Sequence, residues 1–242
     1  MNITDEPSLW FRTILLKNGL RADDNALALM KRYVDALIRA NKTLNLISRK
    51  DEEHVWSHHI VHCISILFAL RFPENCRLLD LGSGGGLPGI PLKILVPTLT
   101  LTMLDATNKK VEAVKRIVDD LGLLDVEAVW GRAEELGGKE TFKERFDVVV
   151  ARAVGPLEEL VRLARPFLRK PKDGVVRAEP ARGPLVVNNP CLVAYKGGDI
   201  SGELEKARRI RYVHSVQMKP LVFDGQEQTG LEDKKLVVVE LT

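Results

Sequence analysis

The sequence predicts an α/β protein: a doubly wound, mostly parallel sheet whose last strand runs antiparallel, preceded by a helical addition. Three observations lead there. From Cys76 onward, short apolar runs of strand length alternate with amphipathic runs of helical length. Residues 77–91, RLLDLGSGGGLPGIP, set a short apolar run directly before a glycine-rich turn, with Pro88 suited to the first turn of a helix. Residues before about Arg71 instead carry apolar positions at helical spacing.

Bulk properties bound the function class. A chain of 242 residues holds one full α/β domain with a modest addition, and the expected division is a helical region at 1–73 packed on a main domain at 74–242. Hydrophobic content of 45% with 29% charged residues is ordinary for a soluble globular protein. A net charge of +3 permits an acidic partner such as nucleic acid without requiring one. Cys63, Cys76 and Cys191 are few, widely separated and odd in number, so a reducing cytoplasmic setting is expected. The opening MNITDEPSLW has acids where a signal peptide needs basic residues, and no apolar run reaches membrane-spanning length.

The elements follow in order. Asp23 or Asp24 caps a helix bearing Leu27, Met30, Val34, Leu37 and Ile38. Residues 41–47 break its spacing and read as a connector. Ser48 followed by Asp51 is a capping-box variant opening a second helix, whose buried stripe is Val55, Trp56, Ile60, Ile64, Leu67 and Phe68 and which Pro73 closes. After the glycine turn come strands at 99–104 and 126–130 around a helix at 109–121. A strand at 146–151, nearly all valine and so buried on both faces, precedes a helix at 156–168. Residues 170–190 carry Pro171, Pro180, Pro184 and Pro190 and read as an irregular insertion or hairpin. A strand at 191–195, a basic helix at 202–210 and an antiparallel pair at 211–218 and 235–241 complete the chain, the pair joined by a polar loop at 223–233.

Ligands of open α/β sheets bind beyond the carboxyl ends of the strands, so residues there are the candidates. Glycines let the backbone turn sharply and let a ligand lie against main-chain N–H groups. Gly84, Gly86 and Gly89 satisfy the dinucleotide spacing, a pattern with little specificity alone. Asp80, before the first turn glycine, suits a cationic ligand better than a pyrophosphate. The turn also reads as a bare reversal of the chain. Asp105, about twenty residues on, is placed to accept hydrogen bonds from ribose hydroxyls, or is a solvated strand end. Ala133 and Glu134 follow the third strand, where Glu134 either meets an adenine ring or caps a helix. Arg152 stands at the mouth of the site, offering a fork of donors to a phosphate or a base unless a surface ion pair occupies it. Lys196 is a second cation beside the pocket. His54, His58 and His62 are four apart and share a helix face. They lack the glutamate of H-E-x-x-H, so substrate contact or surface placement is favoured and no metal is assigned. The clusters Arg162/Arg165/Arg169/Lys170 and Lys206/Arg208/Arg209/Arg211 fit a phosphate backbone and solvated helix faces equally.

Residues 80–86, D-x-G-x-G-x-G, resemble motif I of the class I S-adenosylmethionine-dependent methyltransferases, a Rossmann-like fold. Across nearly the whole chain the sequence is similar to the ribosomal RNA small subunit methyltransferase G family, also called glucose-inhibited division protein B. The similarity rests on NKTLNLIS (41–48), HHI (58–60), LDLGSGGGLPGIPL (79–92), LDATNKKVEAVK (104–115), GRAEEL (131–136), ARAV (151–154), YKGG (195–198) and the closing KKLVVVE. That resemblance implies methylation of N7 of one guanine in 16S RNA, with S-adenosylmethionine as cofactor and the RNA or small-subunit particle as partner. It implies cofactor contacts at Gly82, Leu87, Ala133, Glu134 and Arg152, to which the strand-end reading adds Asp80, Ser83, Gly84, Asp105 and Ala106. A cytoplasmic monomer is expected. N7 of guanine has a lone pair and no proton to lose, so no general base is named. Arg152, Lys196 and, third, His59 are the substrate-positioning residues. His62 and Cys63 stand where many members show Asp-Ser, and the 170–190 insertion is longer than the family's usual turn. Three rival readings are a methyltransferase for a small molecule, an NAD-dependent oxidoreductase and a non-catalytic RNA-binding protein.

Overall fold

Seven strands form one sheet in the order 3-2-1-4-5-7-6. They are β1 (Arg77–Leu81), β2 (Thr100–Asp105), β3 (Val126–Trp130), β4 (Val148–Arg152), β5 (Cys191–Lys196), β6 (Val213–Pro220) and β7 (Lys235–Leu241). The structure is a computed structural model and describes residues 6–171, 184–187 and 189–242. β1 to β5 are parallel, and β7 runs antiparallel to both β5 and β6, as the alternating pattern predicts. Central strands are apolar on both faces, whereas the edge strands β3 and β6 stay half-exposed. The valine strand starts at Val148 rather than 146, because Phe146 makes only an isolated bridge to Leu168.

Side chains alternate across the sheet, so each strand feeds two cores. Leu78, Val148, Val150, Val193 and Tyr195 face one way, toward α1 (Glu6–Lys17), α2 (Asp24–Leu44), α5 (Gly89–Leu95) and α6 (Asn108–Leu121). Leu79, Leu81, Val149, Ala151, Leu192 and Ala194 face α8 (Leu157–Ala164) and α9 (Ser201–Arg208) on the other side. The helices before the glycine turn therefore share one continuous core with the sheet.

Asp23 caps α2, accepting the Ala26 N–H at 2.7 Å. The connector expected at 41–47 begins later: α2 runs to Leu44 and ends at Asn45 in the left-handed region. Asn41 lies buried in its last turn, accepting from Ile47 N at 2.9 Å and donating to Glu52 Oε1 at 2.6 Å, so its side chain folds the following turn back onto the helix. The second helix is not one α-helix. Arg49–His54 is a 3-10 segment, Val55–Val61 a π-helix, and α3 (His62–Ile64) and α4 (Ile66–Ala69) follow. Ser48 makes no side-chain cap, against the capping-box reading. The segment ends before Pro73 because Leu70–Arg71 is extended and pairs in parallel with Leu185–Val186. The rest of the expected 170–190 insertion, 172–183 and 188, lies outside the described residues. α8 stops at Ala164 rather than 168: Arg165 keeps a helical backbone, but Pro166 has no N–H to continue the hydrogen-bond ladder. The 223–233 loop is not merely polar: Phe223, Thr229 and Leu231 are buried, and Gln228 Oε1 accepts from Trp10 Nε1 at 2.7 Å, fastening it to α1.

Leu37 of α2 is fully buried and packs against the glycine turn. Leu37→Ala should cost about 2–5 kcal/mol in denaturant unfolding, in a single transition seen alike by tryptophan fluorescence and circular dichroism. Two separated transitions would show that the early helices unfold apart from the sheet.

Candidate functional site

The end of β1 carries the floor of the site. Asp80 is fully buried under the glycine turn, and its Oδ2 accepts the Gly89 N–H at 2.8 Å at the start of α5. Its Oδ1 is buried with no hydrogen-bond partner among the described residues. Burial raises the carboxyl pKa from 3.8 to about 7, against the opposing pull of the Gly89 N–H and of Arg152. Gly89 has to lack a side chain, since a Cβ would sit 2.8 Å from that carboxylate and 3.1 Å from Leu101.

Above it, Gly82, Gly84 and Gly86 all take positive φ (74°, 56° and 90°). Their amides are not offered to a ligand as glycine turns suggest. Gly82 N and Ser83 N donate to Leu104 O, Gly84 N to Asp105 Oδ2, and Gly86 N and Leu87 N to Ser83 O. What the turn presents is bare surface. A Cβ on Gly84 would meet nothing nearer than Leu46 O at 4.0 Å, whereas one on Gly82 would strike Val154 at 2.6 Å and one on Gly85 would strike Leu37 at 2.6 Å. The turn is thus clamped on its flanks and open at Gly84.

Asp105 closes one side. Its Oδ2 holds Gly84 N at 2.9 Å and its Oδ1 holds Thr107 N at 2.8 Å, which leaves each oxygen a further lone pair. Trp130 Nε1 donates to Ala106 O at 3.1 Å, setting a half-exposed indole beside the same strand ends. Ala133 and Glu134 open α7 (Ala133–Leu136), and Glu134 also borders a groove on the far face with Arg165 and Arg169.

The opposite side is built around Arg152, one residue past the position of β4 that pairs with Leu81. Its two terminal nitrogens lie 3.2 and 3.3 Å from His59 Nδ1, and its Nε is buried without a partner among the described residues. Burial, then the Arg152 charge, lowers the His59 pKa to about 4, and the same two causes lower His62 to about 3. Both imidazoles are therefore neutral near pH 7. Lys196 is tied down, donating to Gly155 O and to Glu203 Oε2 at 2.7 Å each, while Glu203 Oε2 also takes Leu157 N. It thereby fixes the loop after Arg152 and the start of α8.

The three histidines do not share a face, because the π-helix changes the spacing. His54 and His58 stack at 4.8 Å, while His62 turns inward onto the Tyr195 ring at 5.2 Å. Among the described residues no group of three His, Cys, Asp or Glu is placed to hold a metal ion. Three contributors went unread in the sequence. Tyr33 OH donates to Gly85 O at 3.0 Å, Tyr195 OH to Cys63 O at 2.5 Å, and Asp51 lies 3.4 Å from both His58 and His59. Tyr33 and Tyr195 sit among core positions, and only their hydroxyls distinguish them. Asp51, three residues after Ser48, looks in the sequence like part of a helix cap.

Residues 26–178 match the family model described as rRNA small subunit methyltransferase G. A protein of Chlorobaculum tepidum named ribosomal RNA small subunit methyltransferase G is 35% identical over 92% of this chain and 93% of its own. One of the same name from Alkaliphilus metalliredigens is 36% identical over 77% and 78%. Among solved structures, a proposed O-methyltransferase from Klebsiella pneumoniae aligns with a TM-score of 0.53 at 11% identity over 96% of both chains. A predicted O-methyltransferase from Agrobacterium tumefaciens aligns with a TM-score of 0.51 at 16% identity over 76% and 80%. The fold is that of the class I methyltransferases.

The buried carboxyl makes a prediction that needs no ligand. Because its folded pKa lies above the unfolded value, its contribution to stability is full below about 3.8 and is lost as pH rises through about 7. Asp80→Asn should therefore gain stability relative to the parent between pH 5 and pH 8, by about 1 kcal/mol or more in urea unfolding. A difference that stays constant with pH contradicts the assignment.

Proposed function

Because the chain belongs to the rRNA small subunit methyltransferase G family, we propose that it methylates N7 of a guanine in the 16S RNA of the small ribosomal subunit. The observation that carries the donor half of this reading is the unpartnered Asp80 oxygen under an open glycine turn. A buried carboxyl oxygen that a cation would draw into its ionised form, beside a surface free of Cβ atoms at Gly84, fits the ammonium end of S-adenosylmethionine, and Asp105 with its spare lone pairs fits the ribose hydroxyls. When bound, S-adenosylmethionine supplies a methyl group on a positively charged sulfur.

The chain's own part is to bind and align. Asp80 holds a cation, Asp105 holds a diol, and Gly84 gives the close approach that a side chain would block. Arg152, on the opposite rim, is held against His59, and its fork of donors suits a contact on the acceptor side. Lys196 acts on substrate through the loop it anchors rather than by touching it. The two imidazoles, part-buried His59 and buried His62, are weak proton acceptors at neutral pH. That suits an acceptor nitrogen with a free lone pair, for which alignment is the main demand. Small-subunit RNA as acceptor follows the name shared by the relatives, and a net charge of +3 is compatible with it. No helix of the described residues is long and apolar enough to cross a membrane.

Incubated with labelled S-adenosylmethionine, the parent protein should transfer methyl to small-subunit RNA, at a guanine whose modification makes the chain cleavable at N7-methylguanine. Gly84→Arg should abolish both transfer and calorimetric binding of S-adenosylhomocysteine while leaving the circular dichroism unchanged. Label in a small molecule or protein and none in RNA overturns the acceptor. Binding of NADH in place of S-adenosylhomocysteine overturns the donor.

A further inference from the structure

We infer that Asp51 is a positioning residue that holds Arg152 in place through His59. The chain of contacts is short. Arg152 directs both terminal N–H groups at one atom, His59 Nδ1, at 3.2 and 3.3 Å. A guanidinium only donates, so Nδ1 accepts and the single ring proton of the neutral imidazole sits on Nε2. Nε2 faces Asp51 Oδ2 at 3.4 Å, near enough for attraction though off line for a hydrogen bond. The other oxygen of Asp51 faces His58 Nδ1 at 3.4 Å. Asp51 thus selects the His59 tautomer that leaves Nδ1 free to accept, and Arg152 is aimed by an acceptor it would otherwise lack. The alternative tautomer would set an N–H against the guanidinium.

The local backbone fits this role. Asp51 lies on a 3-10 segment and His59 on a π-helix, and π turns inside helices mark places where side chains are re-aimed at a functional cost to regularity. Burial and the Arg152 charge keep His59 neutral near pH 7, the state the relay requires. Asp51 itself is one-third exposed, so the relay is not part of the core and its removal need not unfold the chain. The inference rests on the reading of Arg152 as a contact on the acceptor side, and its spectroscopic test does not.

Nitrogen-15 spectra of the imidazoles in the parent protein at pH 7 should show His59 as the Nε2–H tautomer. Asp51→Asn should yield a mixture of tautomers and faster exchange of the Arg152 guanidinium protons. It should lower kcat for RNA methylation about tenfold or more with little change in the KM for S-adenosylmethionine, and Asp51→Glu should recover most of it. A parent His59 protonated on Nδ1 overturns the inference, as does an Asp51→Asn protein with parental tautomer and kcat. If the parent methylates no RNA, the functional reading fails while the tautomer spectra still decide the relay.

Discussion

The hydrogen bond from Gly89 N to Asp80 is the constraint on which the site depends. It ties the end of the first strand to the start of the next helix across the glycine turn, so the turn has no freedom to open. It consumes one carboxylate oxygen and leaves the other buried without a partner among the described residues. A buried acceptor left unmade costs on the order of 1–3 kcal/mol, and the protein lowers that cost by keeping the carboxyl half-protonated near neutral pH. A cation that reaches this oxygen recovers both terms at once. Selectivity for a positively charged group is therefore held in reserve by the empty-handed oxygen rather than displayed by an ionised strand tip.

The helices before the turn, with the connector that carries Leu46, are the second wall. Leu37 and Leu46 pack on Gly85, Tyr33 bonds its carbonyl, and His59 receives Arg152. Since Arg152 and Tyr195 project from the sheet face that these helices cover, the same packing that buries the apolar stripe of α2 also fixes the rim of the site. The other face serves differently. There Lys196 and Glu203 brace the loop after β4, which brings Val154 onto Gly82. Each flank of the glycine turn is thus clamped by a different layer.

Much of the fold was legible because the parallel strands are continuous Leu and Val runs that nothing but double burial explains, and because the helices between them keep strict apolar spacing. The differences between Ser48 and His62 share one cause. The spacing of Ser48, His54, His58 and His62 fits an ideal 3.6-residue helix, but the chain there winds first too tightly and then too widely, and no local propensity announces a π turn. Asp51, read as a cap, instead faces two histidines. Pro73 and Leu168 look like helix ends for a different reason: tertiary pairing of Leu70–Arg71 and the missing N–H of Pro166 act earlier. At the site, the positions of Asp80, Asp105 and Arg152 at strand ends were readable from spacing. Their states were not: the burial of Asp80, the engagement of the turn's amides by Leu104 and Asp105, and the bracing of Lys196 arise from residues distant in sequence.

The central claim is that a buried, reluctantly ionised carboxylate recognises the ammonium end of the methyl donor. The carboxyl carbon of Asp80, labelled with carbon-13 and followed by NMR through a pH titration, reports it directly. The free protein should titrate with a midpoint near 7, and saturation with S-adenosylhomocysteine, which keeps the ammonium group, should move that midpoint down by about one pH unit or more. A midpoint near 4 in the free protein, or one that the ligand leaves where it was, would contradict the account.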